Sequence, residues 1–533
     1  MAIYWVTEAL PMGLTGLLPV ILFPLFGIAS IPALATNYFK NIHLLIVGTM
    51  MIAVAIEKHG LHKRVALRAL LLIGTSPRRL LIGVMFTSWF LSFWLPNIAT
   101  VAMMVPIVDA VIRELTIAAR ANFKDLHTST GDSSVQVTIV PGDALECPSP
   151  QPEEAANDDE DLLHSNEHLL SMAAMMTLAT SYACNIGGTA TLIGTNPNML
   201  LQNLMDDLYT MHGKESPLTY ATWIPMGLPG ATLAIVACFI WLQIYFSQGG
   251  CLSKKANRFV DVQHTRIALT EQYEALGPIS FAEVIALLAF FTVTLLFFFR
   301  DPGFMPGYKS LFENGMVTDA VPALAVGALL FVLPAERPKI FCCRGSEGAS
   351  DMRKGTKSVP AMLEWRTTIQ KLPWSALFLI GGALAMEMGS RKSGLSLWLG
   401  CQLCAFDHMA PWAVVLIGML FVCFFTQVTC GMATSSVFLP LFITMADRIG
   451  IHPLYITAPA TLIASSTFML PASSPTNAII YETGHIPIKH MIVCGFVMNL
   501  IFAAITLLGT ETWIKGLFDL DTLPWPASNT TAL

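Results

Sequence analysis

Small polar residues next to chain-breaking ones, set inside long apolar runs, are the part of this sequence equipped for chemistry. Residues 97–107 read NIATVAMMVPI and residues 431–441 read GMATSSVFLPL. Ala99, Thr100 and Pro106 in the first answer to Ala433, Thr434 and Pro440 in the second. Downstream of each stands another recurring piece, first Gly194-Thr195-Asn196-Pro197-Asn198, then Ser473-Ser474-Pro475-Thr476-Asn477. Two such pieces, repeated in the same order, are the mark of a secondary transporter built from internal repeats. Where helices break at mid-membrane, freed backbone groups and nearby Asn, Ser and Thr side chains can hold a substrate and its coupling ions.

The elements that must position these residues are membrane spans. Of the 533 residues, 54% are hydrophobic and 12% charged, and the mean hydropathy is +0.61. A soluble chain of this size carries roughly twice that charged fraction. Apolar runs of about 20 residues, enough to cross a bilayer, begin near Leu14, Ile42, Leu80, Leu169, Trp223, Phe281, Val321, Trp374, Trp412, Tyr455 and Met491. The runs are continuous and not alternating, which argues against a β-barrel. The fold class is all-α and polytopic. Stretch 80–112 is too long for one span and is interrupted at Pro96-Asn97, because proline has no N–H with which to continue a helix. Residues 412–446 repeat the layout, with the break at Thr429-Cys430-Gly431. Each reads as a re-entrant helical hairpin. Non-helical backbone survives at membrane depth only under cover of protein or a water-lined cavity, so the two tips should line a site.

Basic clusters place their segments in the cytoplasm: Lys63, Arg64, Arg68, Arg78 and Arg79; Lys254, Lys255, Arg258 and Arg266; and Arg337 through Lys371. Loop 300–319 then lies outside. Asn529-Thr530-Thr531 is a glycosylation pattern that fits an extracellular C-terminus. The segment Leu61 to Gly74, with Lys63, Arg64 and Arg68 on one side and leucines on the other, reads as an amphipathic interfacial helix or as a short span entrance. The net charge of −6 is concentrated around Glu153, Glu154, Asp158, Asp159, Glu160 and Asp161, in a stretch too polar to bury a core and read as a disordered, solvated loop, with a regulatory segment as the alternative. The eleven cysteines show neither a disulfide framework nor a zinc site, and the lone Cys401/Cys404 pair lacks a redox context. The N-terminus has no basic region of the kind a signal peptide carries. No Walker motif, metal-ligand cluster or nucleophile elbow is present, so neither an enzyme nor a nucleic-acid partner is expected, with a membrane enzyme the remote third reading.

With its motifs in order, the chain resembles the divalent anion/sodium symporter family, the sodium-coupled citrate, dicarboxylate and sulfate cotransporters. The resemblance runs from about Tyr4 to Trp525 and rests on YWVTEALP (4–11), LHKRVALR (61–68), IGGTATL (186–192), RDPGFMPG (300–307), NAI (477–479) and TGH (483–485). Several of these are similar to the animal plasma-membrane citrate and dicarboxylate members. The family pattern carries one more span before Tyr4. The resemblance implies an inverted-repeat elevator transporter, a homodimer whose scaffold holds the interface while a transport domain carries sodium and substrate. Carried over, the first sodium site would use Ser92, Asn97 and Gly194. The second would use Thr426, Thr429 and Ser473, with Gly431 offering backbone only. Substrate would meet Asn97, Thr195, Asn196, Ser474 and Pro475. The family's Ser-Asn-Thr triplets are here Pro96-Asn97-Ile98 and Cys430-Gly431-Met432, so only Asn97 remains of six positions. Asn196 replaces a small residue, and Gln427 stands where the family leads one to expect Glu. Gln427 is read as a core amide, Asp109 and Glu114 as cytoplasmic-edge residues, and Glu8 as half of a scaffold pair.

The implied layout is scaffold helices over 1–79, the first hairpin over 80–112, an acidic disordered cytoplasmic loop over 113–168, and transport-domain helices over 169–250. There follow a cytoplasmic segment over 251–278, scaffold helices over 279–411 with a cytoplasmic loop at 335–372, the second hairpin over 412–446, transport-domain helices over 447–515 and an extracellular tail over 516–533. No Lys or Arg lies in 80–112, 169–207, 412–446 or 456–488. A dianion entering such a site needs compensating charge, since desolvation alone costs several kcal/mol. Sodium, a hard cation suited to these oxygens, must bring it, and organic cofactors have no role. The expected function is sodium-coupled import of citrate or C4-dicarboxylates across the plasma membrane, with altered or reduced sodium stoichiometry and the first site better preserved. A sulfate carrier remains open, as does a transport-defective relative acting as a sensor or binding partner.

Overall fold

The computed structural model describes residues 10–74, 76–129, 154–247, 262–302, 305–313, 316–337, 359–394 and 409–525. Among them the regular structure is helical, apart from one isolated bridge between Pro334 and Ala361. In chain order the principal helices are α1 (Met12–Leu25), α2 (Asn41–Lys58), α3 (Leu61–Ile73), α4 (Pro77–Leu91), α5 (Asn97–Ser129), α6 (Glu154–Gly188), α7 (Asn196–Met211), α8 (Tyr220–Ser247) and α9 (Val262–Ala275). The second half holds α10 (Phe281–Arg300), α11 (Ala320–Val332), α12 (Trp374–Lys392), α13 (Pro411–Val428), α14 (Gly431–Ile449), α15 (Pro453–Ala464), α16 (Pro475–Glu482) and α17 (Ile488–Gly509).

Every apolar run read from the sequence begins inside one of these helices. Among the described residues, five stretches are long and apolar enough to cross a bilayer: Ile31–Lys58, Tyr220–Phe246, Phe281–Arg300, Pro411–Val428 and Ile488–Phe518. Helices α7, α15 and α16 are shorter, with 16, 12 and 8 residues; about 20 are needed to span. These half-length pieces begin or end at the breaks that frame the site.

The two halves pack alike. Helices α4 and α5 lie against α6, and α13 and α14 lie against α15. Across the halves, α1 packs on α12, α2 on α11 and α8 on α17. Both interruptions come where expected. Helix α4 stops at Leu91 and α5 starts at Asn97, where the Thr100 amide takes up the Pro96 carbonyl at 3.0 Å. Helix α13 stops at Val428 and α14 starts at Gly431, with Cys430 as its N-cap.

Two sequence expectations need correction. Most of the ends of the stretch expected as a disordered loop over 113–168 are helical: α5 continues to Ser129, and α6 begins at Glu154. Each is an extension of a helix already nucleated, and extending costs far less than starting. Residues 130–153 lie outside the described residues. Helix α3 keeps Lys63 and Arg68 exposed and Leu61, Leu67 and Leu70 buried, as an amphipathic helix would, but Arg64 departs from that pattern. Arg64 is buried with Leu61 and Leu67 while Leu72 is exposed. The reason is a partner set: the Arg64 guanidinium pairs with Glu283 at 3.0 Å and donates to the carbonyls of Gly277 (2.9 Å), Leu276 (3.1 Å) and Pro278 (3.3 Å). Glu283 also closes the capping box of α10 by accepting from the Ser280 amide at 2.7 Å.

Candidate functional site

Helix α6 ends at Gly188, where three carbonyls at and just past its end are claimed by side chains from other helices. The Trp223 indole N–H donates to Thr189 O at 3.1 Å, and Asn198 Nδ2 donates to Gly188 O at 3.1 Å and Thr191 O at 2.9 Å. The second half repeats the device at matching spacing. Asn477 Nδ2 donates to Thr467 O and to Leu470 O, both at 3.1 Å. In each half an Asn reaches back seven and ten residues to hold the unwound segment in front of it. The recurrence read in the sequence is thus a recurrence of hydrogen bonding, and these two asparagines are its fixed points.

The first tip meets the first unwound segment at Asn97. A Cβ added to Gly188 would lie 2.6 Å from Asn97 Oδ1 and 2.6 Å from Thr195 Cγ2. Glycine is needed at that point to let Asn97 and Thr195 close over the helix end. Ser92 is fully buried; its hydroxyl donates to Cys184 O at 2.7 Å and also touches Asn97 Oδ1. The Cys184 carbonyl and the Asn97 amide oxygen therefore face a single hydroxyl proton. Asn97 Nδ2 donates to Asn185 Oδ1 at 3.3 Å. Asn185 is buried, accepts from Thr476 Oγ1 at 3.2 Å and donates to Thr467 O at 2.9 Å. Thr476 Oγ1 in turn lies 2.7 Å from Ser474 Oγ. A continuous hydrogen-bonded path joins Asn97 in the first half to Ser474 in the second. A second link runs from Thr195 Oγ1 to Ser465 Oγ at 3.0 Å.

The second tip is built differently. A Cβ at Gly431 would sit 2.0 Å from Ala464 O, so the tip packs backbone to backbone on the end of α15. The Gly431 carbonyl accepts the Ser435 hydroxyl at 2.8 Å and faces its own helix. Thr426 donates into α13 at Val422 O and Cys423 O, both 2.9 Å. Thr429 lies 2.7 Å from Thr434 Oγ1 and 3.0 Å from Phe425 O. Ser473 donates to Leu470 O at 2.7 Å and is buried, while Ser474 caps α16 and Pro475 is exposed. Around this tip each hydroxyl proton has a carbonyl of its own within reach. At the first tip one hydroxyl proton, that of Ser92, faces both the Cys184 carbonyl and the Asn97 amide oxygen.

The structure thus gathers Ser92, Asn97, Gly194 and Thr195 at one tip and links Ser474 to it through Thr476 and Asn185, while Ser473 bonds Leu470 O and Asn477. Asn196 is the first residue of α7 and half-buried. Thr426, Thr429 and Gly431 form a separate, self-satisfied group. Asn185 escaped the sequence reading. Its signal was an amide directly before IGGTATL inside an apolar span, which is costly unless paired. Gln427 is the core amide expected, holding Cys423 O at 3.1 Å and accepting from the Met469 amide at 3.1 Å. Asp109 is half-buried and takes the His485 imidazole at 3.1 Å, tying α5 to the residues after α16. Glu8 and Asn529 lie outside the described residues. Among the described residues no group of three or more His, Cys, Asp or Glu side chains could hold a metal; the side chains gathered at the first tip are neutral oxygen and amide groups.

Residues 1–520 match the family model described as the sodium:sulfate symporter transmembrane region. The chain is 37% identical over 536 residues to the Na(+)/citrate cotransporter of Rattus norvegicus, covering 98% of this chain and 91% of that protein. It is 35% identical over 553 residues to Na(+)/dicarboxylate cotransporter 3 of Rattus norvegicus, covering 100% and 90%. Among solved structures, the YdaH transporter of Alcanivorax borkumensis aligns with a TM-score of 0.44 and 13% identity, over 91% of this chain and 88% of that one.

Proposed function

The chain belongs to the sodium:sulfate symporter family, and from that premise we propose that it imports citrate or a C4-dicarboxylate together with sodium across the plasma membrane. Its relatives named for citrate and dicarboxylate support the substrate class. The observation that carries the reading is the first tip: Ser92 Oγ and Asn97 Oδ1 meet with only the Ser92 hydroxyl proton between them, and Cys184 O competes for it. Hard oxygens short of protons suit a sodium ion. Substrate would lie between Asn97, Thr195 and Asn196 on one side and Ser474 and Pro475 on the other. The N-termini of α7 and α16 would add partial positive charge toward its carboxylates.

The mechanism in this reading is an elevator in a homodimer. Both interrupted pairs, α4/α5 and α13/α14, serve as re-entrant hairpins in the moving part, and the C-terminus is extracellular. Coupling follows from charge: an anion without its cation would face a pocket with no fixed positive side chain. The sodium count is reduced, because the second tip places no side-chain oxygen at Gly431 and spends its hydroxyls on backbone carbonyls. Its closed geometry also favours a second reading, a chain that binds but does not carry. Uptake of radiolabelled citrate, succinate and sulfate into proteoliposomes, in sodium or choline, separates the readings. Sodium-driven uptake of a carboxylate supports a carrier; sulfate uptake alone would reassign the substrate. Sodium-dependent binding of citrate without uptake would leave the sensor.

A further inference from the structure

Asn185 lies in none of the recurring motifs, yet among the described residues the polar links between the first tip and the second unwound segment that pass through α6 meet on it. Its Oδ1 accepts from Asn97 Nδ2 at 3.3 Å and Thr476 Oγ1 at 3.2 Å, and its Nδ2 donates to Thr467 O at 2.9 Å. With 1% exposure it has no water to replace these partners. The Asn97 amide can turn either way about its last torsion. Asn185 accepts from its nitrogen and so fixes its oxygen toward Ser92. In the second half the place is taken by Ala464, ten residues before Ser474 as Asn185 is ten before Thr195. That half has lost its side-chain oxygen at the tip, and the alanine has no amide to aim one.

We propose that Asn185 is the positioning residue that aims the Asn97 oxygen at the cation and ties that ligand to the anion-facing Ser474–Thr476 turn. The inference rests on the sodium-site reading given above. It makes the sodium affinity of the first tip depend on whether the second unwound segment is occupied.

The test is a sodium titration of the purified full-length protein, followed by thermal unfolding with and without citrate, for wild type, Asn185→Ala, Asn185→Ser and Thr177→Ala. Thr177 is buried on the same helix, and among the described residues its hydroxyl bonds Ala173 O alone, at 2.8 Å. It reports the cost of any lost polar group in α6. In wild type, citrate lowers the sodium concentration giving half-maximal stabilisation. Asn185→Ala is expected to raise that concentration about tenfold, the loss of one buried hydrogen-bonding partner, and to shrink the citrate-induced shift. Asn185→Ser, which keeps one acceptor, falls between. Thr177→Ala lowers the unfolding temperature without moving the sodium midpoint. A wild-type sodium midpoint and citrate shift in Asn185→Ala would overturn the proposal alone. A wild type with no response to sodium would overturn the site reading and this proposal together.

Discussion

Gly431 and Asn97 hold matching places in the two repeats and do opposite things. Asn97 projects an amide into a polar cluster; Gly431 lets two backbones touch. Restoring a side chain at 431 is therefore not a route back to a second ligand. Gly431→Ala puts a carbon 2.0 Å from Ala464 O, and overpacking of this kind costs about 1–3 kcal/mol. A drop in unfolding temperature with sodium dependence unchanged is expected; unaltered stability would show that the contact is loose. His452 offers a second check away from the site. Its Nδ1 accepts from the Leu454 amide at 3.1 Å, so its single proton sits on Nε2, 3.1 Å from the Tyr209 hydroxyl. Burial lowers its pKa to about 4. The folded chain refuses a proton that the unfolded chain accepts near pH 6.5, so stability is full above pH 6.5 and falls as pH drops toward 4. The loss reaches about 3 kcal/mol. Unfolding followed between pH 7.5 and 4.5 should show it, and His452→Asn, which keeps an acceptor for the capping amide, should flatten the curve. An equally steep curve in that variant would place the proton elsewhere. Much of the hydrogen-bonded cluster proposed as the site was legible at this scale, because Asn97, Thr195 and Ser474 sit beside breaks that repeat. Asn185 was not, since a single amide inside an apolar span has no spacing to betray it.

Among the elements, the breaks were legible and the helix lengths were not. Pro96 and Gly431 announce interruptions through backbone chemistry alone. The reach of α5 to Ser129 and of α6 back to Glu154 is set by helix propagation through polar residues, which an apolar pattern does not report. Arg64 was misplaced for a related reason. Charge placed it in the interface, yet its partners Glu283 and the 276–278 carbonyls lie more than two hundred residues on in the chain. Removing Arg64 strands the buried Glu283 carboxylate and frees three carbonyls at the start of α10. Arg64→Ala is expected to destabilise the protein by about 3 kcal/mol, at the low end for breaking a buried pair. Arg64→Ala with Glu283→Gln should recover part of the loss. Thermal unfolding of the two variants decides it, and an Arg64→Ala protein as stable as wild type would make the pair ornamental.

At the scale of the whole molecule, α7 carries Asn196 at one end and ion-pairs with the rest of the fold toward the other. Asp207 meets Lys40 at 2.6 Å, and Gln202 donates to Asp319, which pairs with Arg300. These contacts tie α7 to the start of α2 and to α10 and α11, and Gln202, Arg300 and Asp319 line a cavity of about 60 Å³ beside them. If α7 travels with substrate, they must part in every cycle. Cysteines at both Lys40 and Asp207, joined by a short bifunctional thiol reagent, should stop uptake while either cysteine alone does not. Undiminished uptake in the joined protein would mean that α7 stays still. The most direct measurement concerns the cation itself: initial rates of citrate uptake into proteoliposomes as sodium is replaced by choline, for wild type and Ser92→Ala with Asn97→Ala. Expected are uptake that vanishes without sodium in wild type, with a sodium dependence shallower than that of its citrate-carrying relatives, and a sodium requirement raised at least tenfold in the variant, from loss of charge-assisted contacts. Citrate entry that proceeds equally in choline, or a variant with an unchanged sodium requirement, would contradict a pocket that holds its anion only beside a cation bound at Asn97.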